Sequence, residues 1–181
     1  MFHYICRDLM DALKYLPFGM GIGVLCFFVL IIWNEVRNKR QKDRIPVVPT
    51  TLFLTYLAVI MAITFFSRES GSRHKGLDLE FLSTWGINDR NNALVIENIL
   101  LFIPFGILCP VTFRGLRKFW RCLLVGMLTS LFVESLQLLT GRGFFQIDDI
   151  LTNVLGAVAG YLLYFAVAQC QRGFRKMNGK S

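Results

Sequence analysis

The sequence predicts an all-α polytopic membrane helix bundle: five transmembrane helices, the N-terminus outside and the C-terminus cytoplasmic. Three observations predict it. Of 181 residues, 54% are apolar and only 18% charged, against about 25% charged in an average soluble domain. The charges are gathered into short connections that leave five long, nearly uncharged windows. The basic residues crowd into alternate connections. Such a composition excludes a disordered chain and an ordinary water-soluble core.

The windows follow one another along the whole chain, which reads as a single membrane domain over 1–181. Between Lys14 and Glu35 lie 20 residues without a charge, and between Arg44 and Arg68 lie 23. Asn91 to Phe113 carries only Glu97, Cys122 to Gly141 only Glu134, and Ile150 to Gln171 none. A helix rising 1.5 Å per residue needs about 20 residues to cross about 30 Å of hydrocarbon. Helices are therefore predicted over about 15–34, 47–67, 92–113, 122–140 and 149–169. The mixed charges Arg7, Asp8, Asp11 and Lys14, a long first apolar run and the lack of a small-x-small site argue against a cleavable signal peptide.

Orientation follows from the net charge of +8 and its distribution. Asn34–Val48 holds five Lys or Arg, Arg114–Arg121 four, and the segment after Gln171 four more, thirteen of the 20. Five crossings put these three segments on one side, and the positive-inside rule makes that side cytoplasmic. Trp33 and Trp120 then fall at the inner interface, Tyr15 and Trp85 at the outer one, where aromatic belts sit. No aromatic stacking platform accompanies the basic loops, so no nucleic-acid partner is expected. The five cysteines show no CxxC spacing and read as small buried hydrophobes, with Cys6 alone outside.

Ionisable groups within spans are costly, about 2.5–3.5 kcal/mol on insertion scales, and each is a site hypothesis. All of them fall in the outer half: Glu97 and Asn98 in the third span, Glu134 and Gln137 in the fourth, Asp148, Asp149 and Asn153 in the fifth. Arg68 closes the second span on that side, and Arg142 lies in the short outer loop. Ser130, Glu134 and Gln137 at i, i+4 and i+7 share one helix face. Asp149, Asn153, Gly156 and Gly160 form a second stripe, polar above and small below, suited to close packing. Gly19 and Gly23 make another small-xxx-small pair in the first span. The expectation is that tight packing of the fifth helix holds Asp149 and Asn153 against Glu134 and Glu97, forming one outward-facing pocket. Pro104 and Pro110 could kink the third span and widen it. Asp78, Glu80 and Asp89 read as solvated loop residues.

Asn98-Ile-Leu-Leu-Phe-Ile-Pro-Phe-Gly106, then Ser130-xxx-Glu134-xx-Gln137, Gly141-Arg142 and Asp148-Asp149-Ile-Leu-Thr-Asn153-Val-Leu-Gly156-Ala-xx-Gly160 together resemble the VanZ-like family. The resemblance covers about 68–160, with Arg68 fitting the arginine that the family carries before this core. It implies a multi-pass bacterial membrane protein associated with low-level resistance to teicoplanin and related lipoglycopeptides, apart from the route that replaces the terminal D-Ala of peptidoglycan precursors. It carries over no catalytic residue set. Tyr15-Leu-Pro-Phe-Gly19 also echoes Phe102-Ile-Pro-Phe-Gly106, as a parallel two-helix repeat would.

Two functions fit these residues. In the first, the pocket binds an envelope lipid head group, a lipid-linked cell-wall precursor or the antibiotic itself. Arg68 and Arg142 would meet phosphate, and the carboxylates an amine or sugar hydroxyls. In the alternative, the protein is a membrane-embedded enzyme acting on a lipid-linked substrate. Glu97, Glu134 or Asp149 would serve as acid or base, and Asp148, Asp149 and Asn153 could set a divalent cation against a diphosphate. The binding reading needs no cofactor. HExxH, GxSxG and Walker patterns are lacking, and an ion-coupled transporter would need an ionisable relay through the inner half, which the spans lack.

Overall fold

The computed structural model describes residues 1–39, 44–66, 76–81, 83–143 and 145–178. Among these, α1 (Phe2–Leu13) precedes α2 (Leu16–Lys39), α3 (Val47–Phe66), α4 (Asp89–Thr112), α5 (Phe119–Leu139) and α6 (Ile147–Asn178), and a 3₁₀ turn (Arg114–Leu116) links α4 to α5. Five of the helices, α2 to α6, are long and apolar enough to cross a membrane. The all-helical architecture with five long apolar helices expected from the sequence is therefore what the chain forms.

Three features depart from the expectation. The first is α1, amphipathic and set against α4. The second is a two-residue parallel strand pair, β1 (Leu77–Asp78) with β2 (Phe145–Gln146), in register Leu77 to Phe145 and Asp78 to Gln146. The third is the length of α6. Its 32 residues rise about 48 Å at 1.5 Å each, well beyond about 30 Å of hydrocarbon. After the last apolar turn no proline follows and the helix runs through Gly173, so it continues past Gln169 to Asn178.

The two ends of the bundle differ in chemistry. One carries β1, β2 and the start of α6, and is called here the strand end. The other, the basic end, carries the C-terminus of α2, the α4–α5 connection and the C-terminal part of α6. Trp33 and Trp120 both stand exposed at the basic end, as interfacial anchors do. There the Asn34 amide closes the α2–α3 hairpin, donating to the Ile45 carbonyl at 2.8 Å and accepting from the Ile45 N–H at 2.9 Å.

Small residues decide which helices touch most closely. A Cβ at Gly156 would strike the Ile99 carbonyl, one at Gly160 the Ile103 carbonyl, and one at Gly106 the Ala157 carbonyl. All three lie between α4 and α6, the most extensive helix pair of the fold. Gly19 and Gly23 play the same part between α2 and α3, against Val59 and Thr55. The echo between the Pro-Phe-Gly segments therefore does not extend to packing. Gly19 meets the next helix in the chain, whereas Gly106 meets α6, two helices on.

The core lies toward the basic half, where Phe53, Phe102, Phe105, Cys109, Cys122, Ala157 and Tyr161 cluster. Cys109 and Cys122 are buried and unbridged, the apolar role expected of them. Pro104 and Pro110 lie inside α4 without ending it. Beside Pro104, which has no N–H to give, the Tyr56 hydroxyl of α3 donates to the Leu101 carbonyl at 2.8 Å. Near the other end of the same helix pair, the Thr112 hydroxyl donates to the Pro49 carbonyl at 3.0 Å. These bonds tie α3 to α4.

Candidate functional site

The face of α5 predicted from i, i+4, i+7 spacing is buried along its length. Ser130 is 0% exposed, Glu134 2% and Gln137 1%. Opposite it on α6, Asp149 and Asn153 are also buried, and the two helices meet through a bond from Asn153 Nδ2 to Ser130 Oγ at 2.9 Å. That bond sets the register. α5 and α6 are consecutive and antiparallel, so one turn toward the strand end leads from Ser130 to Glu134 and from Asn153 to Asp149. The two carboxylates thus occupy the same level of the bundle.

Each carboxylate is met by a donor from another element. Asn98 Nδ2 on α4 donates to Asp149 Oδ1 at 2.8 Å. The Gln146 backbone N–H in β2 donates to Glu134 Oε2 at 3.4 Å. Asp148, also buried, accepts from the Thr84 backbone N–H at 2.9 Å and from Ser83 Oγ at 3.4 Å. Both aspartates lie in the first turn of α6, where the helix dipole favours negative charge. Buried carboxylates require such donors, because an unsatisfied one costs more than a hydrogen bond returns.

Asp148 and Asp149 nevertheless turn to different partners, one to the loop before α4 and the other to α4 itself. Among the described residues, no group of three His, Cys, Asp or Glu side chains is arranged to hold a metal. The recorded bonds of the paired aspartates thus reach two different elements.

Glu97 does not join this cluster. Its neighbours are Arg90, whose Nη1 lies 3.7 Å from Glu97 Oε1, and Asp8 of α1, which pairs with the same guanidinium. Arg90 also lies over the Tyr4 ring at 5.5 Å. The reason is rotation: successive residues on a helix point about 100° apart. Asn98 faces α6, so Glu97 faces α1, an element the charge windows did not reveal. The expected three-carboxylate pocket is therefore a pair, Glu134 and Asp149, with Asp148 beside it and Glu97 in a separate α1–α4 cluster.

Arg142 is also placed by geometry that sequence spacing could not supply. Gly141 adopts φ of 64°, and the Arg142 N–H then returns to the Gln137 carbonyl at 2.9 Å. The guanidinium donates through Nη1 to the Phe65 carbonyl and lies over the Phe65 ring at 5.9 Å. It bridges α5 to the end of α3, away from the recorded partners of Asp149. Arg68 lies outside the described residues.

Sequence reasoning missed the loop residues that complete the site. Asp78, expected to be solvated, is partly buried and accepts from Gln146 Nε2 at 3.3 Å and from Ser83 Oγ at 3.5 Å. Thr84 and Gln146 contribute backbone N–H groups, which any residue but proline could supply, so no residue-type signal could have marked them.

A bundle of five long apolar helices with a buried polar cluster between α5 and α6 defines the class: a multi-pass integral membrane protein. Residues 53–168 match the family model described as VanZ/LLP1, and the chain belongs to that family. It is similar to protein VanZ of Enterococcus faecium, 34% identical over 70 residues that make up 39% of this chain and 43% of that protein. The aligned segment thus spans less than half of that relative. No solved structure matches the chain.

Proposed function

We propose that the protein sits in the bacterial cytoplasmic membrane with its N-terminus outside and its C-terminus in the cytoplasm. On this reading the strand end faces the envelope and supports low-level resistance to teicoplanin-type lipoglycopeptides. Its polar cluster binds an envelope lipid head group, a lipid-linked precursor or the antibiotic. The observation that carries the reading is the burial of Ser130, Glu134, Gln137, Asp149 and Asn153 across α5 and α6 at one end of the bundle. Interhelical polar contacts average only about 0.6 kcal/mol, less than the cost of inserting a carboxylate, so adhesion alone is a poor reason to keep them. Family membership supports the link to resistance, and the basic loops at the other end support the orientation.

Two experiments test it. Glu134→Gln and Asp149→Asn keep the shape of each side chain and remove the charge. Each is expected to return teicoplanin susceptibility to the empty-vector level while membrane-fraction immunoblots show parental amounts of protein. Resistance retained in both variants overturns the assignment of the cluster. The orientation is tested through native thiols, since Cys6 on α1 and Cys170 on the basic end of α6 are both exposed. In single-cysteine variants, a membrane-impermeant maleimide should label Cys6 in intact cells and Cys170 only after lysis. The opposite pattern reverses the orientation.

A further inference from the structure

A groove of about 790 Å³ opens between α2, α3 and α5, within the ~300–1,000 Å³ range of ligand sites. Its walls are Ile22 of α2, Ala58 and Ala62 of α3, and Leu136 of α5, with Thr140 and Arg142 at the strand end. The space has a sequence cause. Two alanines four apart on α3 present a small surface where larger side chains would fill the seam, and α2 is held chiefly by α3, leaving its α5 side open. Thr140 adds no polarity, because its hydroxyl is bonded back to the Leu136 carbonyl at 2.7 Å.

Arg142 is therefore the polar feature of the groove. The Phe65 carbonyl and ring hold its guanidinium at the end of the apolar walls. Among the described residues no carboxylate lies within ion-pair distance of it. A guanidinium presents five donors, and the Phe65 carbonyl takes up one direction only. An apolar trough ending in a positioned arginine that no carboxylate of the described residues pairs complements one kind of molecule: an acyl chain ending in an anionic phosphate head group.

We propose that this groove seats the acyl chain of an anionic phospholipid-type amphiphile, its phosphate against Arg142, so that the head group is presented beside the polar cluster. The inference rests on the preceding reading that this end of the bundle engages an amphiphile, and it names the chemistry of that ligand. A free phosphate would have no use for the walls, and a zwitterionic lipid would have less use for the arginine.

Native mass spectrometry of the detergent-purified protein provides the test, with phosphatidylglycerol, phosphatidylcholine of the same chains, and inorganic phosphate as probes. The parent is expected to retain phosphatidylglycerol in preference to phosphatidylcholine. Arg142→Gln should cut that preference about fivefold, the usual weight of one basic side chain at an anionic surface, while still retaining a chain. Ala58→Phe fills the groove and should lose both lipids; Ala58→Leu, a smaller intrusion, gives a graded loss if the larger one blocks insertion. Equal retention of the two lipids by the parent, retention unchanged in both Ala58 variants, or inorganic phosphate displacing the lipid overturns the proposal.

The Ala58 variants keep this assay separate from the resistance reading, since they alter the groove and leave Glu134 and Asp149 in place. Lipid lost in Ala58→Phe with resistance preserved upholds the groove and removes its role in resistance. Resistance lost in Glu134→Gln with lipid retention untouched by the Ala58 variants upholds the cluster and overturns the groove.

Discussion

Gly160→Leu is expected to be the most damaging single substitution in the bundle. At this position a Cβ would meet the Ile103 carbonyl carbon and oxygen and the Gly106 Cα, all backbone atoms. A flexible side chain can turn aside from an intruding methyl; a helix backbone cannot. Relief requires α4 and α6 to separate along their whole contact, which includes Gly156 against Ile99 and Gly106 against Ala157. Overpacking a well-filled core costs about 1–3 kcal/mol, and a contact shared by three glycines in register places Gly160→Leu at or above the top of that range. The measurement is thermal stability by fluorescence-detected size exclusion in detergent. Gly160→Ala should lower the midpoint and Gly160→Leu should abolish the monodisperse peak. Gly21, around which the helix surface is open, is the control, and Gly21→Leu should behave as the parent. A Gly160→Leu variant that melts with the parent would show that the α4–α6 contact is not what holds the fold.

Asn98→Leu should have the next largest effect, and its meaning depends on a double variant. Asn98 supplies a hydrogen bond to the buried Asp149 carboxylate, and hydrogen bonds to charged groups contribute about 1.5–3 kcal/mol. Removing the donor leaves the carboxylate in place with less support, whereas removing both groups leaves no charge to support. Asn98→Leu alone is therefore expected to lower stability by about 2 kcal/mol, and Asn98→Leu/Asp149→Leu by less than the two single losses added. Simple additivity would mean that the pair does not interact in the folded protein. Resistance offers a second readout, because the double variant regains packing yet lacks the Asp149 carboxylate, and should remain susceptible.

The fold was largely legible because a membrane imposes it. Five charge-poor windows near twenty residues long admit few other structures, and a long apolar helix lies over each window. Within the site, the i, i+4, i+7 stripe on α5 and the Asp149–Asn153 stripe on α6 were readable from helical periodicity alone. Partner choice was not. The windows place Glu97 and Asn98 at one depth but do not say that Asn98 faces α6 while Glu97 faces Arg90 and Asp8. Helix α1 was hidden because its mixed charges keep it out of the charge-poor windows, although its periodicity is amphipathic. The strand pair is two residues long on each side, below what alternation of apolar residues can signal, and its contribution to the site is made by backbone atoms.

That short strand pair couples places far apart in the chain. Gln146 pairs with Asp78 through the strand register, donates to the Asp78 carboxylate through its side chain, and donates to Glu134 through its backbone N–H. One residue thus joins the loop before α4 to a carboxylate sunk between helices. A pull on the 76–81 segment would therefore be felt at Glu134 without anything entering the bundle, so the loop and the buried carboxylate move as a single lever.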